Sequence, residues 1–176
     1  MTAKPDFATL DTTIKGKAGE AIVKADLEAK GYIVYTPTPN IPEPFDFFVW
    51  RSDAAFLVDV KTYNRLATTP AISIDLPDLD KYIKVEQQLR LKLLLYWVCT
   101  FEQAIFASTL ENFRNGWTKN HKTKKATIHL QYTTFVRSLT LDECREIGYP
   151  TAMYNGVSRW FTSWNIEKQA LNRKWL

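Results

Sequence analysis

FLVDVKTY, residues 56–63, sets an aspartate, Asp59, and a lysine, Lys61, two positions apart inside an apolar run. Charged side chains enter the middle of a strand only where something offsets their lost hydration. Strand side chains alternate between the two faces of a sheet. In the longer run AAFLVDVKTY (54–63), Phe56, Val58 and Val60 therefore share one face, expected to make the core. Asp59 and Lys61 share the other face with Leu57 and Tyr63, so the charge pair is expected to point away from the strand's main apolar side.

The preceding run FDFFVW (45–50) reads as a second strand, and RSDA (51–54) as the turn of a hairpin. A turn centred between Ser52 and Asp53 puts Asp46 directly opposite Asp59. Opposed side chains have Cβ atoms about 4.5–5.5 Å apart, and two carboxylates so placed repel. A cation between them removes the conflict. Oxygen ligands of this kind suit Mg²⁺, with Mn²⁺ as a substitute. Lys61 projects into the same cluster, where it can hold or polarise a water or a phosphate oxygen. The alternative is a surface ion pair between Lys61 and either acid. A one-residue shift of the turn would put Asp46 on the wrong face.

TTIKGKAGEAIVKADLEAKG (12–31) reads as the first helix, capped by Thr12 or Thr13 and stopped by Gly31. Its apolar stripe is Ile14, Ala18, Ala21, Ile22, Ala25 and Ala29, and Glu20 lies at the stripe's edge. Gly16 and Gly19 cost about 1 kcal/mol each relative to alanine in a helix. That cost is explained by close backbone approach to the sheet or to a ligand; the alternative is two tolerated glycines and an exposed glutamate.

The remaining chain reads as a strand YIVYT (32–36), a proline-rich loop (37–44) and a helix beginning near Asp78. Two core strands follow, LKLLLYWVCTF (91–101) and QAIFAST (103–109). Ser108 with Glu111 and Thr140 with Glu143 have capping-box spacing, so helices are expected at about Leu110 and at LDECREI (141–147), the latter ended by Gly148 and Pro150. WTKNHKTKK (117–125) reads as a basic loop and ATIHLQYTTF (126–135) as one strand. This order implies an α/β fold with a mixed central sheet flanked by helices. One domain over 1–176 is expected, with a core at about 12–110 and an aromatic elaboration at about 111–176.

The chain has 176 residues, 45% apolar and 24% charged, which is an ordinary globular composition, and a net charge of +4 that permits an anionic partner without requiring one. Cys99 and Cys144 form neither a disulfide framework nor a zinc site. The N-terminus lacks the apolar core of a signal peptide, and LLLYWVC is too short to span a bilayer. The expectation is a soluble cytoplasmic or nucleoid-associated protein, not secreted, with no membrane partner.

GKAGEAIVKADLEAKGYIV (16–34) resembles the first helix and strand of Holliday-junction-resolvase-like members of the PD-(D/E)xK nuclease superfamily, which carry a G-x-x-G-E pattern. PFD followed thirteen residues later by DVK is similar to the superfamily core. The resemblance covers roughly 12–64. It departs from the pattern in having Phe45 between the proline and Asp46, and Asp59 in place of the commoner glutamate. It implies a restriction-endonuclease-like fold and metal-dependent phosphodiester hydrolysis. Asp46 would be the central Mg²⁺ ligand, Asp59 the second with the Val60 carbonyl, and Glu20 a ligand through water or to a second ion. Lys61 would orient the attacking water and offset charge, and Gln87 or Gln88 would support the site.

Lys119, His121, Lys122, Lys124 and Lys125 are the best candidates for phosphate contact, with Lys81, Lys84, Arg90 and Lys92 extending the footprint. Trp160, Phe161, Trp164 and Trp175 suit core or subunit packing, with base stacking the minority alternative. Double-strand cleavage needs two centres, hence an expected homodimer or higher homo-oligomer. Three readings follow. The first is a sequence-preferring endonuclease of homing or restriction type on double-stranded DNA. The second is a structure-selective junction resolvase. The third is an inactive nucleic-acid-binding module.

Overall fold

The structure is a computed structural model and describes residues 11–38, 44–62, 71–100, 102–115, 117–120 and 124–148. Tyr63, His121, Lys122, Pro150 and the aromatic residues from Trp160 onward lie outside them.

The chain runs α1 (Asp11–Ala29), β1 (Ile33–Tyr35), β2 (Phe47–Arg51), β3 (Ala54–Thr62), β4 (Ala71–Asp75), α2 (Leu76–Leu89), β5 (Lys92–Cys99), β6 (Ala104–Thr109), α3 (Leu110–Asn115), β7 (Trp117–Asn120), β8 (Lys125–His129), β9 (Thr134–Ser138) and α4 (Leu141–Glu146). A six-stranded sheet has the order β1-β2-β3-β5-β6-β9, and a three-stranded sheet the order β4-β8-β7. β3 and β5 pair in parallel; the other neighbours in the large sheet are antiparallel. A parallel pair needs a long crossover, and here β4 and α2 supply it.

Both faces of the large sheet are covered. On one side Val58 and Val60 pack with Ile22, Val23 and Leu27 of α1 and with Leu139, Cys144 and Ile147 around α4. On the other, Leu57, Leu93, Leu95 and Trp97 pack against Leu79, Tyr82 and Val85 of α2 and against Ile72, Ile74 and Ile128 of the small sheet. The face carrying Asp59 and Lys61 is thus a second core face, not one turned away from apolar contact. A central strand covered on both sides reads as a nearly continuous apolar run, which explains why alternation alone pointed to a single buried face.

Other expectations are corrected by the same packing. The buried stripe of α1 is Gly19, Ile22, Val23 and Leu27, while Ile14 is 52% exposed and Ala21, Ala25 and Ala29 face solvent. Ala18 and Ile22 of the expected stripe do pack inward, and the inward face turns from there toward Gly19, Val23 and Leu27. Thr12 and Thr13 lie within α1, whose described course already includes Asp11. Gly31 ends the chain's helical course as expected, at φ +82°, where a side chain would be strained. AISID, unassigned in the sequence, forms β4, and α2 begins at Leu76 with Pro77 in its first turn. Thr109, not Ser108, caps α3, accepting from Asn112 N–H at 3.2 Å. The basic loop is a hairpin of β7 and β8, and the run after it splits into β8, a 3-10 turn at Leu130–Tyr132 and β9. The capping box at Thr140 and Glu143 forms in full.

Candidate functional site

The β2–β3 hairpin has the expected two-residue turn, and its pairing keeps the expected register from Arg51 with Ala54 to Phe47 with Val58, one residue short of Asp46. At that point the ladder opens. Asp46 N–H donates to the Val58 carbonyl at 2.8 Å, and Val60 N–H donates to Asp46 Oδ2 at 2.7 Å. A side chain has replaced the backbone acceptor that a continuing strand would have offered. In a strand, a residue's N–H and C=O point to the same side. The Val60 carbonyl therefore faces the space that β2 vacates, beside the Asp46 carboxylate.

Asp59 is 6% exposed. Its Oδ2 lies 2.9 Å from Lys61 Nζ. The Lys61 ammonium is also 5.7 Å from the centre of the Tyr82 ring, within the range in which a ring face attracts a cation. Glu20 enters from α1, whose seat on β3 is set by Gly19. A Cβ there would collide with Thr62 Oγ1 and lie 3.0 Å from Thr62 Cβ. The expected close approach thus occurs at Gly19 and against the sheet. At Gly16 a Cβ would meet nothing within 4 Å among the described residues.

The charges perturb one another as a cluster. Burial, then the Asp59 charge, pushes Asp46 up to about 7, against the opposing Val60 hydrogen bond. Burial also raises Glu20, again reinforced by Asp59, and raises Asp59 against the pull of Lys61. For Lys61 burial acts to lower the pKa, but Asp59 outweighs it and holds the ammonium above its ordinary value. Three acids have their negative charge disfavoured even though Lys61 lies among them and Lys17 and Lys81 act on Glu20 and Asp59 from the edge, which marks a site where added positive charge is favourable.

Among the described residues no three Asp, Glu, His or Cys side chains draw close enough to ligate one ion together. The oxygens that could face an ion are those of Asp46 and Asp59, with the Val60 carbonyl on the same strand and Glu20 in electrostatic range of the pair. Few protein oxygens with room for water is how Mg²⁺ is commonly held, so these residues fit such an ion with Glu20 acting through water.

Gln87 and Gln88 lie exposed near the end of α2. The helix faces the cluster through Tyr82, which sequence reasoning missed. Its signal was present: Leu79, Tyr82 and Val85 recur every three residues as the buried stripe of α2. Of the basic candidates, Lys124 and Lys125 are exposed at the β7–β8 turn. That turn is fastened to the start of α2, because Leu76 N–H donates to the Lys124 carbonyl at 2.8 Å. Lys119 lies on β7. Lys81 stands 5.5 Å from the Tyr82 ring centre and so belongs to the rim of the cluster.

The architecture is a restriction-endonuclease-like α/β fold, as the resemblance implied. It is similar to the structure of Hjc, a Holliday junction resolvase from the archaeal hyperthermophile Archaeoglobus fulgidus, with a TM-score of 0.52 and 11% identity over 66% of this chain and 90% of that one. It is also similar to a nuclease from a fusselovirus, with a TM-score of 0.46 and 13% identity over 84% and 95% of the two chains. The sequence matches no family model and no curated protein.

Proposed function

We propose that the protein is a metal-dependent nuclease that hydrolyses phosphodiester bonds in DNA, with Glu20, Asp46, Asp59 and Lys61 as its reacting cluster. The observation that supports this most is the opening of the β2–β3 ladder at Asp46. It sets a half-buried carboxylate against the Val60 backbone, next to Asp59 and within the field of Lys61. Burying acids without full compensation costs stability, and the cost is understandable if a cation and a phosphate complete the site.

In this reading Asp46, Asp59 and the Val60 carbonyl hold Mg²⁺ or Mn²⁺, and Glu20 steadies a water beside it. When bound, the ion supplies Lewis acidity and lowers the pKa of a coordinated water. Lys61 holds its ammonium against the reacting phosphate, orienting the attacking water and offsetting charge that grows on the phosphoryl oxygens. Lys124 and Lys125, with Lys119 and Lys122 of the same segment, bind flanking phosphates and set the strand's course past α2. Cleavage of both strands requires two clusters, which a two-fold homodimer provides; light scattering with DNA bound tests this, and a monomer would contradict it.

The substrate is double-stranded DNA cut with sequence preference. The likeness to Hjc favours a second substrate, a four-way junction. Nicking of supercoiled plasmid with Mg²⁺ or Mn²⁺, compared with Lys61→Ala and Asp46→Ala, separates an enzyme from an inactive binding module. Parallel digestion of linear duplex and four-way junction separates the two substrates. Absence of cleavage with either ion on either substrate overturns the proposal.

A further inference from the structure

Tyr82 sits at 0% exposure in the apolar core between α2 and the large sheet. Its hydroxyl is in range of the Asp59 carboxylate yet is not aligned well enough to make a hydrogen bond with any described residue. Phenylalanine would fill this place without the desolvation penalty that a buried, unsatisfied hydroxyl carries. The core therefore has no use for the oxygen. Meanwhile the ring has two ammonium groups within cation–π range, Lys61 at 5.7 Å and Lys81 at 5.5 Å.

Asp59 Oδ2 is occupied by Lys61 at 2.9 Å. A divalent cation bound at that carboxylate stands close to the Lys61 ammonium and repels it. When Asp59 turns to a cation, Lys61 loses its partner and needs another seat in the site. The Tyr82 ring, 5.7 Å from that ammonium, offers such a seat, and its hydroxyl is a donor that can hold the turned Asp59.

We propose that Tyr82 is a positioning residue: its hydroxyl holds the Asp59 carboxylate in the orientation that receives a divalent cation, while its ring keeps the displaced Lys61 ammonium at the phosphate. The proposal rests on the reading of the cluster as a nuclease centre. The hydroxyl and the ring have separable duties, since Tyr82→Phe removes only the first and Tyr82→Leu removes both.

The test compares wild type, Tyr82→Phe and Tyr82→Leu in three measurements: thermal unfolding, Mn²⁺ binding followed by electron paramagnetic resonance without DNA, and plasmid nicking resolved into kcat and KM. For Tyr82→Phe the expected result is an unchanged or higher unfolding temperature together with Mn²⁺ affinity lowered about 10-fold, within the range typical of residues that orient ligands. Its kcat falls with KM unchanged, and Tyr82→Leu loses kcat further. Wild-type Mn²⁺ affinity in Tyr82→Phe overturns the proposal, as does a drop in unfolding temperature with affinity intact, which marks a purely structural tyrosine. If wild type binds Mn²⁺ but cuts no DNA, the nuclease reading fails and the Mn²⁺ shift still decides the role of the hydroxyl. If wild type binds no Mn²⁺, both fail.

Discussion

Asp46 is held by Val60: the Val60 N–H donates to Asp46 Oδ2 at 2.7 Å, one residue before Lys61 and one after Asp59. The hydrogen bond stabilises the ionised carboxylate, yet burial and the Asp59 charge prevail and lift Asp46 to about 7. Its proton is retained in the folded protein at pH values where an unfolded chain has already lost it.

That difference has a definite sign. A carboxylate raised from 3.8 to about 7 binds more protons folded than unfolded between those values, so its contribution to stability is present below pH 3.8 and is lost as pH rises toward 7. The loss is on the order of a few kcal/mol for a group this buried. In chelator, the unfolding free energy of wild type should fall from pH 4 to pH 7. Asp46→Asn should flatten much of that slope and be the more stable protein at pH 8. A wild-type profile that rises over this window contradicts the assignment.

Gly19 and Gly16 should respond to alanine in opposite directions. At position 19 the new methyl meets Thr62, and overpacking of this kind costs about 1–3 kcal/mol. At position 16 the methyl enters open space, and removal of a helical glycine should stabilise by about 1 kcal/mol. Urea unfolding of Gly19→Ala and Gly16→Ala checks both; equal shifts would mean that α1 does not rest on β3 at Gly19.

Arg137 joins three elements, donating to Asp26 Oδ1 at 2.9 Å and to both oxygens of Glu143 at 2.6 and 2.8 Å. Asp26 is nearly buried and keeps Lys30 at 3.0 Å as its other partner. Arg137→Ala should destabilise by about 1–3 kcal/mol, the cost of leaving a buried polar group under-satisfied. A double-mutant cycle with Asp26→Asn should show coupling; additive effects would reduce the contact to a surface ion pair.

Lys124→Ala with Lys125→Ala should weaken binding to duplexes of different sequence about equally. Each phosphate contact contributes roughly 0.9 to the slope of log affinity against log salt, so the slope should decrease by nearly 2. Fluorescence anisotropy across a salt series measures it. An unchanged slope would place the DNA elsewhere.

The hairpin register, which brings Asp46 to the end of the ladder beside Val58 and Val60, was legible because it follows from local rules: strand alternation and a two-residue turn. Tyr82 and the true inward stripe of α1 were not, because which side of an amphipathic helix faces inward depends on the partner surface. Ala21 and Ala25, which face solvent, have the same spacing as Gly19 and Val23, and only the sheet beneath α1 chooses between the two sets. Ser108 and Glu111 show the same limit at a helix start, where Thr109, one residue later, took the cap.

The Arg137 junction also bears on how far the chain can be trimmed. α1, which carries Glu20, lies over a cluster completed by Leu139, Cys144 and Ile147. A fragment ending at residue 110 would keep every acid and Lys61. It would nonetheless bare the underside of the helix and unclasp Asp26, leaving Glu20 on a support free to swing.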